Sequence, residues 1–152
     1  MLSQIAQKMG DVDTAINSLK KILLIDKSNI ECISKIYKLL LTNSLLDEAL
    51  ANINLILRID KDHYEAIRDK AYIYFLKNNF DKAKKYIDNI SKLKENDFFG
   101  YNIKGLIYLK NNILYEAKDY FEQAIEINNK HVDSYNNLGC LLYTSPSPRD
   151  GR

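Results

Sequence analysis

Residues 98–124 read FFGYNIKGLIYLKNNILYEAKDYFEQA. The pair Asn111-Asn112 divides this stretch, and asparagine tolerates the left-handed backbone that ends a helix. Beyond the pair, Ala117, Phe121 and Ala124 fall at steps of four and three, which places them on one helical face. The same columns recur 34 residues apart along the chain. Ala15, Ala49, Ala83 and Ala117 form one column, and Leu19, Ile53, Ile87 and Phe121 form a second. A third holds Ile22, Ile56, Ile90 and Ala124, and a fourth Val12, Leu46, Phe80 and Leu114. A fifth runs Ser3, Tyr37, Ala71, Gly105 and Gly139, small at every place except Tyr37. No insertion breaks the register, so the unit is a helix, a polar turn and a second helix, repeated.

The turns are expected at Gly10-Asp11, Asn43-Ser44, Asn78-Asn79 and Asn111-Asn112, and the return connectors at stretches such as Asp60-Lys61-Asp62-His63. The alanine column has a packing reason: two helices crossing closely leave no room for a large side chain. Tyr37 in the small-residue column is expected to hold its helix slightly away from the neighbouring one.

Composition narrows the function classes. The chain has 152 residues, 46% hydrophobic and 28% charged, with 22 Lys+Arg against 20 Asp+Glu. That balance gives no basic footprint for nucleic acid, and no apolar run is long enough for a membrane span. No signal-peptide core follows Met1, so a cytoplasmic setting is expected. Two cysteines, Cys32 and Cys140, make neither a disulfide framework nor a metal-ligand pair.

These residues resemble the tetratricopeptide repeat family, whose unit is 34 residues with the pattern W-x2-LG-x2-Y…A-x3-F…P. The nearest unit here is Tyr101-x2-Lys104-Gly105-x2-Tyr108 followed by Ala117-x3-Phe121. Lys27, Lys61, Glu95 and Asn129 stand where the family usually has proline. The resemblance implies an all-α fold, a right-handed α-α superhelix (solenoid) of stacked antiparallel helix pairs. It divides the tetratricopeptide repeat domain, residues 1–139, into a partial repeat 1–29, repeats 30–63, 64–97 and 98–131, and a partial repeat 132–139.

Residues 140–152 read differently. Both prolines of the chain, Pro146 and Pro148, lie there. Cys140 to Asp150, CLLYTSPSPRD, resembles a translated transposase-type sequencing adaptor. A non-native tail on a fragment of a longer scaffold protein is therefore expected.

Catalysis is not expected. His63 and His131 are two periods apart, both in connectors, and neither belongs to a metal-binding spacing. Asp11-x-Asp13 and Asp60-x-Asp62 do not continue into a calcium loop, and Asp11 and Asp13 suit the start of a second helix. Cys32 reads as a small buried residue. No cofactor or metal is implied.

By resemblance, the first helices of the pairs line a concave groove that takes a peptide or helix of a protein partner. The matching residues are Ser34, Lys38, Leu41 and Thr42, then Glu65, Arg68, Asp69, Tyr72 and Phe75, then Asn102, Ile103, Leu106, Leu109 and Lys110. Lys38, Arg68, Tyr72, Phe75, Asn102, Leu106 and Lys110 carry the expected binding chemistry, since aromatic, apolar and cationic groups dominate hot spots. Ser34 and Asp69 stand where a clamp for a C-terminal carboxylate wants basic or amide groups. Two further readings remain open: the repeat arm of a larger enzyme, such as a glycosyltransferase, and self-association through uncapped ends.

Overall fold

The structure is a computed structural model that describes the backbone of residues 2–130 and 132–144 and the side chains of residues 9–130 and 134–141. Among the described residues all regular structure is helical. The elements are α1 (Leu2–Ile25), α2 (Ile30–Thr42), α3 (Leu46–Ile59), α4 (Tyr64–Leu76), α5 (Phe80–Leu93), α6 (Phe98–Lys110), α7 (Leu114–Ile127) and α8 (Val132–Thr144). From α2 onward, helices of 13 and 14 residues alternate. This is the all-α, helix-pair fold that the period predicts.

The turns inside the pairs repeat one geometry. Ser44, Asn78 and Asn112 have φ of 61°, 59° and 60°. Each sits just past the end of its helix, and the next residue's N–H reaches back: Leu45 to the Leu40 carbonyl (2.9 Å), Asn79 to Tyr74 (2.9 Å) and Ile113 to Tyr108 (2.8 Å). Together with the bonds from Ser44, Asn78 and Asn112 to Leu41, Phe75 and Leu109, these are Schellman caps that satisfy the last carbonyls.

The first turn departs from expectation. α1 runs unbroken through Gly10 and Asp11, and no glycine has positive φ among the described residues. Thr14 Oγ1 donates to the Gly10 carbonyl at 2.9 Å, a bond along the continuous helix. Gly10 is one period before Ser44, so the position is right and the conformation is not.

The return connectors explain the missing prolines. Asp26, Asp60 and Asn128, again one period or two apart, accept from the backbone N–H two residues on at 3.1–3.2 Å. These Asx turns fix the connector without proline. Lys94 fills the fourth place of that column and has no such acceptor; there the chain turns with Asn96 at φ 57° instead. The next helix is then capped from one column: Asn29 Oδ1 accepts from Cys32 N–H (2.9 Å), His63 Nδ1 from Ala66 N–H (3.2 Å), and Asp97 Oδ2 from Gly100 N–H (3.3 Å). His63 is thus a helix cap. His131 and residues 145–152 lie outside the described residues.

The helices cluster into two compact units that meet between Ile73 and Tyr74, within α4. In the first, Ile16, Ile33, Ile36, Tyr37, Leu40, Ala49, Ile53 and Ile56 form the core. In the second, Ala117, Phe121 and Leu141 are buried among Leu106, Tyr108, Leu109, Leu114 and Leu138. α8 continues through the expected boundary after Gly139 to Thr144, and Leu141 belongs to this core.

Ala49, Ala83 and Ala117 are wholly buried, as the crossing argument requires, whereas Ala15 is only partly so. At Gly105 an added Cβ would overlap the ring of Phe121. Gly105→Ala is therefore expected to cost about 1–3 kcal/mol by overpacking, and Phe121→Leu in the same chain to recover part of it. Urea denaturation checks this, and an unchanged midpoint for Gly105→Ala refutes it.

Candidate functional site

The first unit presents a polar cluster on α2 and α4. Lys38 Nζ lies 3.1 Å from Glu65 Oε2, with both side chains about half exposed. One turn along α4, Arg68 Nε and Nη2 donate to Oδ1 and Oδ2 of its neighbour Asp69 at 3.1 and 3.4 Å. The guanidinium carbon also sits 6.0 Å from the Tyr64 ring centroid. Asp69 is 6% exposed, and a buried carboxylate needs both charge pairing and hydrogen bonds. Tyr37 supplies the third donor, its hydroxyl giving to Asp69 Oδ2 at 2.6 Å.

Tyr37, unexpectedly large for its column, is fully buried and belongs to the same core as Ile53. Burial, then the hydrogen bond to Asp69 and the negative charge beside it, push its phenol well above the ordinary value. It stays a neutral donor throughout the working pH range. Its bulk thus carries a hydroxyl from α2 to the carboxylate of the next first helix. Tyr72 and Ser34 lie half-buried on the same two helices.

In the second unit the expected residues separate by burial. Phe75 is 8% exposed and packs its ring 6.0 Å from that of Phe80, so it serves the core and offers little surface. Ile103 is buried too. Leu106 and Leu109 are half-buried against the Phe121 core. Lys110 is exposed at the end of α6. Asn102 is 6% exposed, and its Oδ1 accepts from Asn137 Nδ2 of α8 at 2.9 Å. Asn137 was not named from the sequence because its repeat is incomplete, although it stands one period after Ile103 and two after Asp69.

A second cluster on α5, α6 and α7 also escaped the sequence. Tyr108 and Tyr120 stack at 5.3 Å, and Tyr101 lies 6.3 Å from Tyr120. Lys84 Nζ stands 5.3 Å over the Tyr108 ring. Lys104, which fills the family's leucine position, pairs with Asp88 at 3.3 Å. Burial, then Tyr108 beside it, raise the Tyr120 phenol. The opening among Lys84, Asp88, Lys104, Tyr108 and Tyr120 holds only about 110 Å³, small beside ordinary ligand pockets.

No group of three or more histidine, cysteine or acidic residues could hold a metal among the described residues. No helix among them is long and apolar enough to cross a membrane. Cys32 is buried, as expected, and its Sγ donates to the Leu19 carbonyl at 3.1 Å.

Two outcomes follow from the α2–α4 cluster. Tyr37→Phe removes one donor from a buried carboxylate and is expected to destabilise the fold by about 1–3 kcal/mol; thermal and urea unfolding measure it. The hydrogen bond from Lys38 holds Glu65 below the ordinary carboxylate value. A lowered folded value means that this contribution to stability is present near neutral pH and is lost as pH falls through it. Carbon NMR of the Glu65 carboxyl should therefore show its midpoint rising in Lys38→Met, and no rise would contradict the assignment.

Known proteins match at the level of family and fold. The tetratricopeptide repeat model matches residues 1–29, 64–97 and 100–131, more than half of the chain. No curated protein sequence matches. Among solved structures, a tetratricopeptide repeat protein from Parabacteroides merdae superposes with a TM-score of 0.78 at 19% identity, over 93% of this chain and 56% of that one. A thermophilic repeat protein from Thermus thermophilus gives 0.72 at 18% identity, over 93% and 78%. The first repeat domain of Spaghetti (RPAP3), bound to the HSP90 peptide SRMEEVD, gives 0.65 at 18% identity, over 80% and 97%. With the period, the turns and the packing columns in place, these matches show that the chain belongs to the tetratricopeptide repeat family.

Proposed function

We propose that this chain is a non-catalytic module that binds a peptide or helix of a protein partner through the faces of its first helices. On α2 and α4 the binding residues are Lys38, Arg68 and Tyr72. On α6 they are Asn102, Leu106 and Lys110, with Asn137 of α8 beside Asn102. The observation that carries the reading is the internal pairing of charge on α2 and α4: Lys38 with Glu65, and Arg68 with Asp69. A face whose charges are already matched attracts no polyanion. What it offers is directed hydrogen bonding beside half-buried Tyr72, suited to a segment with polar and apolar groups interspersed.

The same pairing argues against an acidic carboxyl-terminal ligand of the kind bound to the Spaghetti domain. Lys38 and Arg68 are already engaged by Glu65 and Asp69, and pairing either with a ligand carboxylate would break a bond within the face.

The reading is tested by selecting peptides from a displayed random library on the intact protein, then titrating them into variants. Lys38→Ala with Tyr72→Ala is expected to weaken a selected peptide at least tenfold while circular dichroism stays unchanged. Raising salt from 50 to 500 mM should weaken it by less than about threefold. SRMEEVD should bind no tighter than about 1 mM. Selected peptides that bind the double variant as well as the parent protein would remove these residues from the site.

A further inference from the structure

One seam of the repeat is filled in the second unit and open in the first. Where α5 and α7 flank α6, Tyr108 and Tyr120 stack at 5.3 Å and Lys84 stands over the Tyr108 ring. The opening that remains there holds about 110 Å³. Two periods earlier, the columns of Lys84, Tyr108 and Tyr120 hold Ile16, Leu40 and Asn52, on α1, α2 and α3. With no ring in those columns, a trough of about 400 Å³ is left. One period after Leu40 and Asn52, Tyr74 and Tyr86 also stack, at 5.6 Å with 7° between their planes. The chain thus puts a pair of phenol rings in these two columns twice and leaves them out once.

The trough is shaped and lined for such a ring. Its volume falls in the ordinary range of ligand sites, about 300–1,000 Å³, and about 150 Å³ of apolar cavity is enough for benzene. Its floor is made by the buried side chains of Ile16, Ile36 and Leu40. Its rim is polar. Asn52 Nδ2 donates to the Glu48 carbonyl at 3.0 Å, which leaves Oδ1 to accept. Asp13 and Glu48 stand on the same rim, and among the described residues neither carboxylate is in an ion pair. Lys20 is the one cation of the lining, so the rim keeps a net negative charge.

We propose that the trough between α1 and α3 receives one tyrosine side chain of a partner protein, with a basic residue beside it. The ring takes the place that Tyr108 and Tyr120 fill in the second unit. The phenol hydroxyl gives its proton to an acceptor of the rim, since a buried tyrosine tip needs a partner. A leucine in the same place would desolvate those acceptors and return no donor. The neighbouring cation meets Asp13 and Glu48. The trough shares no residue with the face of Lys38, Arg68 and Tyr72, so the two sites stand or fall separately.

Amide NMR of the intact, isotope-labelled protein tests this with acetyl-Lys-Tyr-Lys-amide. Shift changes should gather on residues 13–20 and 48–52, and acetyl-Lys-Leu-Lys-amide should bind about fivefold more weakly. Acetyl-Glu-Tyr-Glu-amide should be weaker by about the same factor, because its charge repeats that of the rim. Leu40→Tyr with Asn52→Tyr gives the first unit the rings of the later repeats and should abolish binding. Should that pair fail to fold, Asn52→Leu decides: it removes the acceptor and keeps the bulk. It should weaken the tyrosine peptide about threefold and leave the leucine peptide unchanged. Equal binding of the tyrosine and leucine peptides, shifts gathered elsewhere, or variants that bind as the parent does would overturn the proposal. So would trough signals that move with protein concentration alone and stop moving in Tyr115→Ala. That result would give the trough to Tyr115 of a second copy, a side chain 83% exposed on α7.

Discussion

Everything in this chain depends on how closely two helices can cross. Where α6 crosses α7, one helix offers glycine and the other a large aromatic residue, and neither can change alone. Gly105 and Phe121 show the limit: a single added carbon on one would overlap the ring of the other. Ala49, Ala83 and Ala117 have no exposed surface at all. With the crossings fixed, helix length follows, since 13- and 14-residue helices must end at the same place in every repeat for the next crossing to form. The Schellman caps at Ser44, Asn78 and Asn112 and the Asx turns at Asp26, Asp60 and Asn128 are how the backbone meets that demand.

Tyr37 shows how one exception is accommodated. In a column of small residues a phenol would be expected to separate the helices, yet it is fully buried. Its hydroxyl then needs a partner, and Asp69 provides one. Asp69 in turn needs a cation, which Arg68 supplies. A single bulky side chain thus entails a three-residue polar network, and the charge on this face is spent internally. The proposed mode of binding, through hydrogen bonds and apolar contact, is a consequence of that.

The fold was legible because period, turn residues and the alanine column are all local or strictly repeated signals. The turn at Gly10 was misread for the opposite reason: a turn residue permits a bend but does not impose one, and Ala15 shows that the packing which would impose it is incomplete. The site was less legible. Lys38 lies on α2 and Arg68 and Tyr72 on α4, whereas Phe75 is buried with its ring beside that of Phe80. The Tyr37–Asp69 and Asn102–Asn137 bonds join residues 32 and 35 apart, a pairing that no spacing within one helix announces. His63 read as an idle connector residue because histidine is an uncommon helix cap, and only its column with Asn29 and Asp97 gives it away.

The thiol of Cys32 makes the joint between α1 and α2 observable from outside. Its Sγ is bonded to the Leu19 carbonyl and shielded from solvent, whereas Cys140 is exposed. An alkylating reagent therefore meets two very different nucleophiles on one chain. Modification of Cys140 is governed by collision, while modification of Cys32 waits for α1 to part from α2 and reports how often that happens. The molecule carries its own clock for the opening of its first joint, with an internal standard at the other end of the chain.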